Sequence, residues 1–378
     1  MLKSKLSILH INSYFLTSPL HRRLVERLAE DEAVHQEVYC PTDGIGDHIE
    51  EPKSPQTHLS VRPCFGRIHR KLWPLKMIMI WRDFVKWQKR RHFDVVHAHT
   101  LVVNGIIAYL YYKRTGTPYL ITVRNTDANK FLKRTPLIKW LVKPVLTNAR
   151  KVIFLGPAFW TNNFREVYSP SFLARLEKKV AFVPNGIDDF WIRNLVSEEK
   201  QINGSFNILF VGALKANKNV DTLLHACRRL QSLGILVSIQ IVGSGGEEAN
   251  LRKLAEGMDV TFHGMISEKT QLARLYRHSH VLAVISKTES FGLVYGEALA
   301  QGTPILYSKK QGFDGVFGQG VVGYAVDPND IGDIAEKLIN IKSNFQEIQR
   351  AVLKVRDRFS WERVSLEILK LYQAAIVK

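Results

Sequence analysis

Two carboxylates stand eight positions apart in the stretch 288–304, "TESFGLVYGEALAQGTP". Glu289 follows a short apolar run and precedes Phe291, Gly292 and Leu293. Glu297 falls inside the helix-like segment that follows, and Gly302 is a stop signal for it. A carboxylate can accept hydrogen bonds from a pair of hydroxyls, which suits Glu297 to a sugar diol. The first N–H groups of a helix have no partner within it, so Phe291, Gly292 and Leu293 could meet an anion. A structural reading stands beside this one: Glu289 caps the helix and Glu297 is solvated or salt-bridged.

Two further stretches have the same form, a strand ending in glycine before a helix. "FVGALKANKNVDTLLHA" (210–226) carries Gly212, Lys215 and Lys218. Its lysines could neutralise a phosphate at the helix start, or simply be solvated loop charges. "VGSGGEEANLRKL" (242–254) carries Gly243, Gly245 and Gly246, which let backbone N–H groups approach an anion. A tight turn without a ligand looks the same. Neither stretch is a full G-x-G-x-x-G, and the P-loop pattern is absent.

Parallel sheets would bring these turns together. Short apolar, β-rich runs alternate with helical patterns along all 378 residues. Candidate strands are 6–11, 37–40, 94–99, 119–123, 151–155 and 179–183, then 207–211, 237–242, 260–264, 281–286 and 304–308. Nearly continuous apolar strands between helices imply sheets covered on both faces. The alternation restarts after the polar interval 197–207. The expected architecture is α/β, with two Rossmann-like doubly wound domains facing a central cleft. Residues 1–195 and 196–358 would form the domains, and a last amphipathic helix (359–378) would pack back on the first. Ser18 before Pro19 reads as a helix cap. Ligands of such sheets lie beyond the carboxyl ends of the strands.

Composition sets outer bounds. No run approaches the ~20 apolar residues of a spanning helix. Cys40, Cys64 and Cys227 are an odd, scattered set, which argues for free thiols and against a disulfide framework or a zinc site. The formal charge is +18, and residues 1–195 hold 31 of the 53 Lys/Arg but only 16 of the 35 Asp/Glu. An anionic partner is implied: nucleic acid, acidic lipid or a phosphorylated substrate. Residues 62–91 interleave ten Lys/Arg with Leu72, Trp73, Leu75, Ile78, Trp81 and other apolar side chains, against one acid, Asp83. The stretch 129–151 repeats the habit. Such segments suit a bilayer interface or single-stranded nucleic acid, or are ordinary helices with solvated lysines.

The spacing E-x7-E within "TESFGLVYGEALAQGTPIL", after "FVGALKANK", "IVGSG" and "VTFHG", closely resembles family 4 of the retaining glycosyltransferases, which have the GT-B fold. "DVVHAH" (94–99), "TPYLITV" (117–123), "VPNGID" (183–188) and "FSWERV" (359–364) follow the family's order across nearly the whole chain. The resemblance implies a nucleotide-sugar donor and no metal or other cofactor. It implies that Glu297 binds the ribose hydroxyls and Glu289 the donor sugar. Lys218 would contact the diphosphate with the backbone at Phe291, Gly292 and Leu293. Gly212 and Gly243 would line the nucleotide pocket, and His99 would approach the reacting sugar. Glu289, His99 and Lys218 are thus the catalytic candidates.

Three departures from the family bear on substrate handling. Ala213 stands where the family carries an arginine five residues before the lysine, and Lys215 and Arg124 are the substitutes on offer. "NSYFLTSPLHRR" replaces the glycine-rich loop after the first strand. Arg124 takes the place of a histidine, which makes Arg124, Asn125 and Asp127 a candidate substrate loop; they could equally serve only to order it. The expected function is transfer of a sugar, UDP-linked by family frequency, to an acceptor hydroxyl. The expected acceptor is a lipid-linked saccharide of surface polysaccharide biosynthesis. The enzyme would sit in the cytoplasm as a peripheral protein of the inner membrane face, docked through residues 62–92 and 130–151, with no nucleic acid bound. A nucleotide-sugar epimerase and a basic nucleic-acid-binding protein are the alternatives.

Overall fold

A computed structural model describes residues 5–44, 52, 54–70, 72–124, 127 and 136–377. The chain divides into two compact units. Unit 1 is built on β1 (Leu6–Ile11), β2 (Val34–Thr42), β3 (Thr57–Pro63), β4 (Val95–Ala98), β5 (Tyr119–Val123), β6 (Lys151–Phe154) and β7 (Val180–Phe182). Its sheet runs in the order β3-β2-β1-β4-β5-β6-β7. Every pair in it is parallel. Unit 2 is built on β8 (Phe206–Val211), β9 (Val237–Val242), β10 (Val260–Gly264), β11 (Val281–Val284), β12 (Ile305–Ser308) and β13 (Gly323–Val326). Its sheet runs β10-β9-β8-β11-β12-β13, again all parallel.

Parallel pairing needs a crossover after each strand, and helices on both faces bury the strands. β5 shows the result, with all five residues of "YLITV" buried. The strand order reverses between β1 and β4 in unit 1, and between β8 and β11 in unit 2. A doubly wound sheet opens a crevice at such a reversal, at the carboxyl ends of the strands. The candidate residues lie there: β4 leads into His99, β8 into Gly212 and β11 into Glu289.

Some details depart from expectation. The chain passes between the units at Gly186–Ile187 rather than at 195–196. The backbone explains this: Ile187 N–H donates to the Phe359 carbonyl, and Trp191 packs edge-on against Tyr276 in unit 2. Residues Gly156–Phe159 also count with unit 2, where the Ala158 N–H donates to the Asp314 carbonyl. Ser18 does stand before the helix Pro19–Leu28, but its side chain makes no cap; its carbonyl accepts from the His21 and Arg22 N–H groups instead. β3 and β13 are edge strands that the apolar pattern did not mark.

The helix Trp361–Ile376 belongs to unit 1. Trp361, Val364, Ile368, Tyr372 and Ala375 pack into one core with Ile8, Leu24, Val95 and Leu120. This helix therefore covers the face of β1, β4 and β5 nearest the unit's strand reversal.

Candidate active site

In unit 2, three turns converge at the β8/β11 reversal. Glycine is required where they meet: Gly243 has φ +134°, and a Cβ there would lie 1.9 Å from the Gly212 carbonyl oxygen. Asn217 latches the lysine loop to the glutamate loop, donating to the Thr288 carbonyl while its own carbonyl accepts from Lys287 N–H. That latch sets Lys218 Nζ 2.7 Å from Glu289 Oε2. Ser286 Oγ lies 3.4 Å from the same oxygen. The other carboxylate oxygen of Glu289 accepts from Ser290 N–H at 3.0 Å. Gln311 Oε1 accepts from Glu289 N–H, also at 3.0 Å. Lys218 and Glu289 thus form a close ion pair.

The helix Leu293–Ala300 begins just beyond. Gly292 enters it at φ +80°, and a Cβ there would press 2.4 Å from the Tyr295 ring, so only glycine fits. Among the described residues, no group bonds to the N–H of Phe291, Gly292 or Leu293. These donors carry the partial positive charge of the helix start. Glu297 lies one turn on and accepts from the Tyr276 hydroxyl at 3.1 Å. Burial pushes its carboxyl up to about 7, opposed by the hydrogen bond from Tyr276 and assisted by nearby Asp188. Lys269 pairs with Asp188 at 2.8 Å. Ala213 is exposed on its turn, and Lys215 is exposed as well.

In unit 1, the polar residues gather at the β1/β4 reversal. His10, His97 and His99 cluster on the face beneath the last helix, and His97 Nδ1 meets the Tyr372 hydroxyl at 2.7 Å. His97 Nε2 meets Thr122 Oγ1 at 2.8 Å. His99 is wholly buried. Burial holds its pKa well below the ordinary histidine value, and neighbouring His97, His10, His21 and Arg124 act in the same direction. By distance alone, the three rings could surround a metal ion, with ligand atoms within 4.8 Å of one another. Their geometry is wrong for it: the His97 and His99 rings stack at 4.1 Å and 24°, so their lone pairs run side by side instead of converging.

Asp127 is buried and accepts from three backbone N–H groups, those of Arg124, Leu101 and Val102. Burial raises its pKa to about 6 against those bonds. Arg124 donates from Nη1 to Asn185 Oδ1 at 3.0 Å, and burial lowers its pKa to about 10. Asp127 therefore ties Arg124 to the start of the helix Val103–Thr115. Asn125 lies outside the described residues.

The structure thus brings Lys218, Glu289, Glu297, Gly212, Gly243, Phe291, Gly292 and Leu293 together in unit 2, and His99, Arg124 and Asp127 in unit 1. Sequence reasoning missed Tyr276, whose hydroxyl orients Glu297, and Gln311, which holds the Glu289 backbone. It also missed His10, His21, Gln36 and Tyr372 around His99. One signal was legible: a polar residue such as His10 near the carboxyl end of an otherwise apolar central strand lies where ligands bind.

Residues 193–356 match the family model for glycosyl transferases group 1, and residues 20–170 match that for a glycosyl transferase 4-like domain. An uncharacterized glycosyltransferase of Methanocaldococcus jannaschii is 22% identical over 287 residues, covering 74% of this chain and 75% of that protein. A D-inositol 3-phosphate glycosyltransferase of an Arthrobacter species is 32% identical over 184 residues, which cover 46% of this chain and less than half, 44%, of that relative. Among solved structures, a lipopolysaccharide outer core galactosyltransferase superposes with a TM-score of 0.73 at 17% identity, covering 98% of this chain and 99% of the other. The Anabaena protein HepE, solved with UDP-glucose, gives 0.60 at 14%, with 97% and 99% covered. Two all-parallel α/β units, the converging turns of unit 2 and these matches agree: the chain is a glycosyltransferase of the GT-B group 1/family 4 class.

Proposed function

We propose that the chain transfers a sugar from a nucleotide-diphosphate sugar to an acceptor hydroxyl, with retention at the anomeric carbon. One observation carries the reading. At the β8/β11 reversal, Lys218 and Glu289 pair at 2.7 Å beside a helix start whose N–H groups bond to nothing among the described residues, and Glu297 follows one turn later. Negative charge develops on the leaving diphosphate in such a transfer. Lys218 and the helix start would supply the fixed positive charge that stabilises it. Glu289 accepts from the sugar hydroxyls, and Glu297 from the ribose diol. The leaving phosphate assists deprotonation of the acceptor, so neither a protein nucleophile nor a metal ion is required.

A UDP-sugar is favoured, because the HepE structures hold UDP and UDP-glucose at a similar fold. For the acceptor we favour a lipid-linked saccharide in surface polysaccharide assembly, at the inner face of the cell membrane. The exposed apolar side chains of unit 1 support this: Ile68, Leu72, Leu75 and Ile78 in one basic segment, Leu137 and Trp140 in another. Among the described residues, no helix is long and apolar enough to cross a membrane, so contact would be peripheral. A thermal-shift screen across UDP-, GDP- and other nucleotide sugars tests the donor, since a ligand of the folded state raises the melting point by mass action. A UDP-sugar should stabilise the chain, and transfer should survive a chelator. Stabilisation by no nucleotide sugar would sink the reading.

A further inference from the structure

The polar side chains around His99 form a directed chain of hydrogen bonds. Gln36 Nε2 donates to the Val25 carbonyl oxygen at 3.0 Å and to Thr57 Oγ1 at 3.2 Å. A backbone carbonyl can only accept, so the amide nitrogen must face Val25. The amide oxygen then faces His10 Nε2 at 2.9 Å. That oxygen can only accept, so His10 carries its proton on Nε2 and leaves Nδ1 bare. His10 Nδ1 in turn lies 3.0 Å from His99 Nε2, which must be the donor. Burial keeps both rings neutral. His99 therefore holds its single proton on Nε2, and its Nδ1 is a bare acceptor. That atom is buried and has no hydrogen-bond partner among the described residues.

A buried acceptor left unbonded is costly, which points to a donor that arrives with a ligand. The surroundings suit a hydroxyl group. The His21 ring lies 5.3 Å from that of His99, centroid to centroid. His21 Nδ1 is spent on Asn12 Oδ1 at 2.9 Å. Among the described residues, Arg124 Nε and Asn12 Nδ2 are buried donors that also lack partners. A sugar hydroxyl both donates and accepts, so it matches a mixed set of this kind.

We propose that Gln36 and His10 are positioning residues that lock His99 as its Nε2–H tautomer, so that Nδ1 accepts a hydrogen bond from a hydroxyl of the carbohydrate substrate. The substrate half of this rests on the sugar-transfer reading above. The tautomer half does not, because it is read in the ligand-free protein. Nitrogen-15 spectra of histidine-labelled wild type distinguish the two tautomers, and His99→Gln assigns the signals by removing one ring. His99 should be protonated on Nε2. Gln36→Met keeps the volume but removes the acceptor, which should move the His99 proton to Nδ1. The same variant should lose at least tenfold in kcat with an unchanged thermal shift by UDP, which a merely structural role would not produce. A wild-type His99 protonated on Nδ1 overturns the proposal, and so does a reversed tautomer with wild-type kcat. If Gln36→Met does not fold, the wild-type spectrum still decides the tautomer. A chain that transfers no sugar with any donor would sink the functional reading and the substrate half with it.

Discussion

Glu297 gives the site a pH dependence of known sign. Its folded-state pKa, about 7, stands above the ordinary 4.5 because the carboxyl is buried. The folded chain therefore binds this proton more tightly than the unfolded chain does. The stability it contributes is fully present below about pH 4.5 and is lost as pH rises through about 7. Donor binding runs the other way, because ribose hydroxyls donate to a carboxylate and not to its protonated oxygen. Donor affinity should rise with pH towards 8 and fall by up to about tenfold per unit below 7. Calorimetric titration between pH 5.5 and 8 measures it, and Glu297→Gln should flatten the profile. A flat wild-type profile would remove Glu297 from the ribose. Lys218 offers a second test, since Glu289 neutralises it in the ligand-free chain. Glu289→Gln should release that cation and tighten UDP, while transfer slows by at least about tenfold for want of one charge-assisted bond to the sugar. Weaker UDP binding in that variant would place the lysine elsewhere. The residue types and spacing of this unit were legible in the sequence because each of its three turns is a short unbroken run. Tyr276 and Gln311 were not, since only the folded sheet brings them to Glu297 and Glu289.

At the scale of elements, alternation of apolar strands and helices was enough to read two doubly wound sheets. Eleven of the strands in β1–β13 follow from apolar runs bounded by turn residues. β3 escaped because it is a mostly half-buried edge strand with few apolar residues, and β13, "GYAV", because it is short and opens on glycine. The chain passes into unit 2 at Gly186–Ile187. The short helix Asp189–Arg193 is tied to unit 2 by the buried side chain of Trp191, a contact that no local pattern announces. The last helix is the element whose removal should do most. Trp361 is 4% exposed and anchors it in a core with Val183 and Ile8. Trp361→Ala should cost about 3–5 kcal/mol by loss of a large buried side chain. Urea unfolding would report it, and a change under 1 kcal/mol would show that the helix is held by other contacts.

At the scale of the whole molecule, the uneven charge is the feature the catalytic site does not explain. Most of the excess of +18 falls within residues 1–195, while the turns proposed to hold the diphosphate lie beyond residue 210. Donor binding therefore leaves most of that charge unused. The exposed apolar side chains among the lysines are the second half of the observation: Leu137 is 72% exposed, Trp140 69% and Ile78 54%. Charge draws such segments to an acidic surface at roughly 1 kcal/mol per Lys or Arg, and apolar side chains then enter the interface. The chain should sediment with vesicles rich in acidic phospholipid and not with neutral ones, and attachment should weaken between 0.1 and 0.5 M salt. Replacing Leu137 and Trp140 together by serine should lower partitioning by at least about tenfold, or ~1.4 kcal/mol, since these two side chains would no longer be buried. The same double variant should keep its thermal shift with a nucleotide sugar, because neither residue lies in unit 2. RNA tests the competing use of this charge: binding to RNA that survives the double substitution, without attachment to acidic vesicles, would assign the basic segments to nucleic acid instead.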